Sequence, residues 1–127
     1  MGESVTAQRS EQLHTDSVSK LPFLANRATV GGYRFSTPLH ISKDSLKKGF
    51  TLALQDHSFK IVSFLLAYEC EFCDIDLIMI SGNKVSQENF RGLRHIKAGE
   101  SLTIDLIRVQ GGSKLYRVPG FMIYVTD

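Results

Sequence analysis

The stretch Phe50-Thr51-Leu52-Ala53-Leu54-Gln55-Asp56-His57-Ser58-Phe59-Lys60-Ile61-Val62-Ser63-Phe64-Leu65-Leu66-Ala67-Tyr68 reads as two strands around a polar turn. Phe50, Leu52 and Leu54 alternate with Thr51, Ala53 and Gln55, the period of a half-buried strand. Asp56-His57-Ser58 is the turn. The second run places Val62, Phe64, Leu66 and Tyr68 on one face and Ile61 and Leu65 on the other. Apolar residues on both faces predict a strand covered on both sides.

The same two-residue period recurs toward the C-terminus. Ile75–Ile80 is a strand ended by Ser81-Gly82-Asn83. Ser86–Ile96 is expected as a short helix capped by Ser86, with Phe90, Leu93 and Ile96 near helical spacing. Lys97-Ala98-Gly99-Glu100 is a turn. Leu102, Ile104 and Leu106 alternate, then Ile107 and Val109 continue in the opposite phase, which one extra residue (a β-bulge) would produce. Gly111-Gly112 is a hairpin turn. Its partner strand runs from Lys114 to Tyr116 and again from Phe121 to Val125, broken at Pro119-Gly120 because proline cannot donate to a ladder.

Toward the N-terminus, Ile41-Ser42-Lys43-Asp44-Ser45-Leu46-Lys47-Lys48-Gly49 is a helix with both ends written in. Ser42 caps the first amides, Asp44 suits the positive end of the dipole, and Gly49 suits the left-handed residue beyond the last turn. Residues 1–20 are polar and without period, and 21–27 are mixed, so 1–27 is expected as a flexible leader and 28–127 as the domain. Six or seven short strands with one or two short helices predict a mainly β protein, a β-sandwich.

Composition narrows the function. A chain of 127 residues, 43% apolar and 22% charged, suits one folded domain and excludes wholesale disorder. A net charge of +2 is small for a protein that grips phosphates, so no nucleic-acid partner is expected. No apolar run approaches a membrane span. Met1-Gly2-Glu3-Ser4 does not open like a signal peptide, so the protein is cytoplasmic or a targeting segment lies outside these residues. Two cysteines are too few for a disulfide scaffold.

Cys70-Glu71-Phe72-Cys73 is the one site-like spacing. Zinc would need two more ligands, and redox chemistry of the thioredoxin kind wants the pair opening a helix, whereas this pair lies between strands. In a regular strand, positions three apart point to opposite faces, so a local disulfide requires a turn at Glu71-Phe72. Half-buried thiols, a local disulfide and a small metal or redox site all stay open. Glu69, Glu71, Asp74 and Asp76 cluster around the pair without an EF-hand pattern and read as a solvated hairpin. Lys84, Arg91, Arg94, His95 and Lys97 concentrate positive charge around the second helix, where Arg91, Arg94 and His95 share a helical face. A solvated face and a docking face for an acidic partner are both consistent with that pattern, and Lys84, Arg91, Arg94 and Lys97 are the candidate contact residues. His14, His40, His57 and His95 pair with no nucleophile, and no phosphate loop or dinucleotide fingerprint occurs. No catalytic residue, metal or cofactor is expected.

Several stretches resemble, in order, the C-terminal periplasmic domain of GldM, the gliding-motility and type IX secretion motor protein of Bacteroidetes. Ala28-Thr29-Val30-Gly31-Gly32 is similar to the family's opening segment, and Ile41–Leu46 to its short helix. Leu54–Phe64 resembles its strand pair ending in Val-Ser-Phe. Ile96-Lys97-Ala98-Gly99-Glu100 resembles its turn, and Ile107–Pro119 its final hairpin. The likeness runs from Ala28 to Val125. It departs at Gly111-Gly112-Ser113-Lys114, where the family usually has Gly-Pro-Asp-Gly, and at Cys70 and Cys73. The resemblance implies an immunoglobulin-like antiparallel sandwich in the periplasm, the tip of a homodimeric shaft that touches the secretion ring. It therefore implies a non-enzymatic docking module with a protein partner, such as a secretion-ring lipoprotein, and a possible homodimer. The rival expectations are a small metal- or redox-active protein using Cys70 and Cys73, and a cytoplasmic binding domain.

Overall fold

The computed structural model describes residues 20–35, 38–69 and 75–127. The chain order is β1 (Ala28–Val30), β2 (Leu39–Ser42), α1 (Lys43–Lys47), β3 (Phe50–Leu54), β4 (Lys60–Glu69), β5 (Asp76–Ser81), β6 (Lys84–Val85), a 3-10 turn (Arg91–His95), β7 (Ser101–Gly111), β8 (Lys114–Val118) and β9 (Phe121–Thr126). The protein is mainly β, with two sheets. The small sheet runs β1-β3-β6, and the large one β2-β9-β7-β4-β5 with β8 also on β7. Between them lies the core: Leu52, Leu54 and Val85 from the small sheet meet Phe64, Leu66, Ile104 and Ile123 from the large one. Leu46 of α1 and Phe90, Leu93 and Ile96 around the 3-10 turn complete it.

Local chemistry accounts for most of the framework. The Ser42 hydroxyl accepts the Ser45 amide at 3.2 Å, and Gly49 stands at φ 92°, so α1 is capped and stopped by its expected residues. The bulge expected near Leu106–Ile107 is present. Leu106 has φ 49°, and the β4–β7 register shifts there. A compensating shift between Ile61 and Ser63 puts the extra residue on β4. That second bulge corrects the expected faces of β4. Ile61 points inward with Phe64, Leu66 and Tyr68, and Val62 is displaced to a half-buried site. β8 and β9 lie along the same edge of β7 in one register, interrupted only at Pro119-Gly120. A Cβ on Gly120 would overlap the Ile104 carbonyl oxygen, so glycine is required where the two backbones meet.

Four features depart from the sequence reading. The sandwich is not wholly antiparallel, because β2 pairs parallel to β9 with Ile41 opposite Val125. Parallel neighbours need a long crossover, and here the strands from β3 to β8 supply it. The expected helix over Ser86–Ile96 is a turn followed by the 3-10 turn. Asn89 explains this: its side chain accepts the Ser86 amide and donates to the Lys84 carbonyl, competing with helical bonding. The hairpin turn is Gly112-Ser113, one residue beyond Gly111-Gly112. Finally, order extends back of Ala28. Arg117 donates its amide to the Pro22 carbonyl, and its carbonyl accepts from Leu24, while buried Asn26 accepts the Asp56 amide at 3.0 Å.

Candidate docking surfaces

Cross-strand partners in a sheet share a face, so the registers map the outer face of the large sheet in rows. One row joins Ser81, Ser63, Arg108 and Arg117 across β5, β4, β7 and β8. The next joins Met79, Leu65 and Asp105, and the third Leu77, Ala67, Thr103 and Met122. A fourth joins Glu69, Ser101, Tyr124 and His40, with the last two rings 5.7 Å apart. The face therefore runs from a basic end, through an apolar middle, to an end carrying Glu69.

The apolar middle is uncovered at its β5 side. Leu77 is 63% exposed, Met79 40% and the preceding Ile75 57%. β5 pairs with β4 alone in the large sheet, which leaves one line of its backbone groups unpaired by the ladder. Half-buried Leu65 and Ala67 continue the stripe onto β4. Single exposed apolar residues are ordinary, but a contiguous strip on a sheet edge is a binding feature.

The basic row contains two unsatisfied polar atoms. Ser63 is 6% exposed, and its Oγ has no hydrogen-bond partner among the described residues. Arg108 Nε, directly across the ladder, is also buried without an acceptor. Burial without a partner costs about 1–3 kcal/mol for each such group. Beside it, Arg117 is held in place: its Nε donates to the Leu21 carbonyl at 3.3 Å, and its guanidinium lies 5.4 Å from the Phe23 ring.

Of the four basic residues singled out from sequence, the structure brings two together. Arg91 and Arg94 stand one 3-10 turn apart and line a shallow groove of about 600 Å³ with His95, Gln87 and Glu88. A 3-10 turn superposes positions three apart, so this pair survives the loss of the expected α-helix. Lys84, on β6, lines a different groove beside α1. Lys97 lies beyond Ile96, where its amide donates to Glu100 Oε1 at 2.8 Å. Cys70 and Cys73 lie outside the described residues.

Beneath the acidic end lies a buried polar clamp. The Tyr68 hydroxyl donates to Glu100 Oε1 at 2.6 Å, the oxygen that also accepts the Lys97 amide. Burial, together with the Glu100 carboxylate, pushes the Tyr68 hydroxyl well above the ordinary tyrosine range. The Tyr68 ring meets Phe90 edge-on at 5.6 Å, and a Cβ on Gly92 would lie 2.7 Å from the Phe90 ring. The clamp fixes the 3-10 turn to the sheet and is structural. At the opposite end of β4, hydrogen bonds from the Ser58 hydroxyl and amide hold the Asp56 carboxyl below the usual carboxylate range.

No group of three metal-ligating side chains occurs among the described residues. No helix there is long and apolar enough to cross a membrane. Compared with known proteins, the chain matches no family model and no curated protein.

The outer-face site was missed in the sequence reading because its members are scattered over six strands. The available signal was Leu77-Ile78-Met79-Ile80, an apolar run too continuous for a strand with one face in water.

Proposed function

We propose that this chain is a non-enzymatic protein-docking module that binds through the outer face of its large sheet at the β5 side. The observation that carries this reading is the exposed stripe of Ile75, Leu77 and Met79 on a strand with one free edge. Apolar side chains on a rigid sheet bury area with little backbone-ordering cost, and the free edge can accept an extended segment. The immunoglobulin-like reading rests on strand order: β1 on β3 in one sheet, β2 parallel to β9 in the other, and β6 returning to the small sheet. The periplasmic assignment, with docking to a secretion-ring lipoprotein in type IX secretion or gliding, rests on the resemblance to the C-terminal domain of GldM.

The test is a pull-down from a Bacteroidetes envelope extract using the wild-type chain and the Leu77→Lys/Met79→Lys variant, with mass-spectrometric identification. A secretion-ring lipoprotein captured by the wild type and lost from the variant supports both the face and the setting. Equal capture by both chains refutes the placement, and capture of cytoplasmic proteins alone refutes the periplasmic assignment.

A further inference from the structure

Among the described residues, β1, β2, β5, β6 and β8 each have a single ladder neighbour, and all but β5 are blunted by the chain itself. Along β8, Arg117 exchanges hydrogen bonds with the Pro22 carbonyl and the Leu24 amide. On β6 the Asn89 side chain donates to the Lys84 carbonyl, and on β1 the Tyr33 amide donates to the Val30 carbonyl. β2 is four residues long and runs straight into α1. Short length and local cover are how folded proteins keep sheet edges from pairing with other chains. β5 has neither. It is six residues long, contains no proline or lysine, and its only charge is Asp76.

Register determines what this edge presents. The Gly82 amide donates to the Val62 carbonyl at 2.7 Å, and antiparallel bonding alternates from there. Asp76, Ile78 and Ile80 therefore turn their backbone groups toward β4, whereas Leu77, Met79 and Ser81 turn theirs outward. Those outward groups have no partner among the described residues. The side chains agree with the backbone. Leu77 and Met79 are exposed on the outer face, and Ile78 packs half-buried against the core on the other. Apolar residues on both faces are the pattern of a strand inside a sheet, not at its rim.

We infer that the partner completes the large sheet as a further strand: an extended segment of another protein, antiparallel to β5 and hydrogen-bonded to Leu77, Met79 and Ser81. The inference rests on the docking reading above and adds the conformation and chemistry of the partner. Antiparallel pairing is favoured because its bonds are slightly more stable than the slanted bonds of a parallel pair. Residues opposite Leu77 and Met79 share the outer face with them, so these two positions of the segment are apolar. The residue between them stands beside Ile78 and is β-branched. Asp76 is exposed at the start of β5, and Glu69 is exposed one residue beyond Tyr68, the β4 partner of Asp76. A strand arriving there is complementary when it carries a basic residue, which the antiparallel direction places at its C-terminal end. Main-chain bonds supply the affinity, and these few side chains supply the specificity.

The experiment is amide hydrogen exchange by NMR on the full chain, alone and with a synthetic peptide spanning the length of β5. The peptide has Val opposite Leu77 and Met79, Thr between them and Arg at its C-terminus. In the chain alone, the Leu77, Met79 and Ser81 amides should exchange freely, and those of Ile78 and Ile80, bonded to β4, slowly. With the peptide at about ten times its Kd, the three free amides should slow about tenfold. N-methylation of the two Val residues, whose amides face β5, should weaken binding at least about tenfold, and N-methylation of the intervening Thr should change it less than about twofold. Replacing the peptide's Arg by Glu should weaken binding about two- to fivefold. Protection of Leu77, Met79 and Ser81 in the chain alone, whether by its own residues or by a second copy, overturns the inference. So does an absence of binding up to about 1 mM peptide. Equal effects of the two N-methylations overturn the ladder. If any of these results is found while Leu77→Lys/Met79→Lys still loses the envelope partner, the docking reading stands and only strand addition fails.

Discussion

Replacing Tyr68 by phenylalanine removes one oxygen from the clamp and leaves the ring packing in place. The hydroxyl donates to a buried carboxylate at 2.6 Å, and hydrogen bonds to charged groups contribute about 1.5–3 kcal/mol. Glu100 Oε1 keeps the Lys97 amide after the change, so its charge is not stranded. A loss near the middle of that range, about 2 kcal/mol, is expected, equivalent to roughly 8 °C in Tm for a domain of this size. The chain has no Trp, so urea unfolding is best followed by far-UV circular dichroism. The midpoint should fall with an unchanged slope. A second arm isolates the hydroxyl from packing. Its pKa is raised in the folded protein, so both states keep the proton below about pH 10, where an unfolded tyrosine ionises, and the contribution is complete there. Above that pH the unfolded state releases the proton first and the contribution is lost as pH rises, by up to about 1.4 kcal/mol per pH unit. The wild type should thus lose its advantage over Tyr68→Phe on going from pH 9 to alkaline solution. A difference under about 0.5 kcal/mol that stays flat with pH would refute the clamp as a stabilising element.

Gly120→Ala drives a methyl into the Ile104 carbonyl of a central strand and should cost at least about 3 kcal/mol in urea unfolding. Gly112→Ala, at φ 62° with open space around it, should cost only about 1 kcal/mol; equal losses would mean that β8 and β9 do not approach β7 as described. Leu77→Lys with Met79→Lys should leave the urea midpoint within about 0.5 kcal/mol of wild type, because neither side chain belongs to the core. A large loss would show that the stripe is covered within the single chain. Arg91→Glu with Arg94→Glu should likewise spare stability and, by stopped-flow, slow association with an acidic partner in a salt-dependent way. Salt-independent rates would remove the groove around Arg91 and Arg94 from the encounter.

Signals carried by a few neighbouring residues were legible. The Ser42 cap and Gly49 stop of α1 needed only local chemistry, and so did the phase reversal at Leu106–Ile107 and the break at Pro119-Gly120. Pairings between distant segments were not legible. Leu39–Ser42 is four residues long, and nothing in it announces that its ladder partner is Ile123–Thr126, across most of the chain. The β4 bulge was hidden because Ile61, Val62, Phe64 and Leu65 are all apolar, so slipping the phase by one changes no residue class. Asn89 looked acceptable within a helix and shows its competing role only where the Ser86 amide and Lys84 carbonyl converge on it. The outer-face rows were out of reach for the same reason as β2–β9. They depend on register, and period shows which side a residue takes without showing which residue it stands beside.

β9 lies between β2 and β7, so an interior strand of the large sheet is formed from residues 121–126. During synthesis, β2 has no hydrogen-bonding neighbour in that sheet until Phe121–Thr126 has cleared the ribosome. Until then β7 carries an open half-edge beside residues 101–104, which later pair with β9. The nascent chain must hold α1, β3 and the β4–β5 hairpin without their completed sheet, and closure comes as a late, long-range event. Contacts of high sequence separation fold slowly and leave strand edges available to other chains meanwhile. Closure of this domain should therefore wait until Phe121–Thr126 has emerged, and holding chaperones should favour its recovery more than faster translation does.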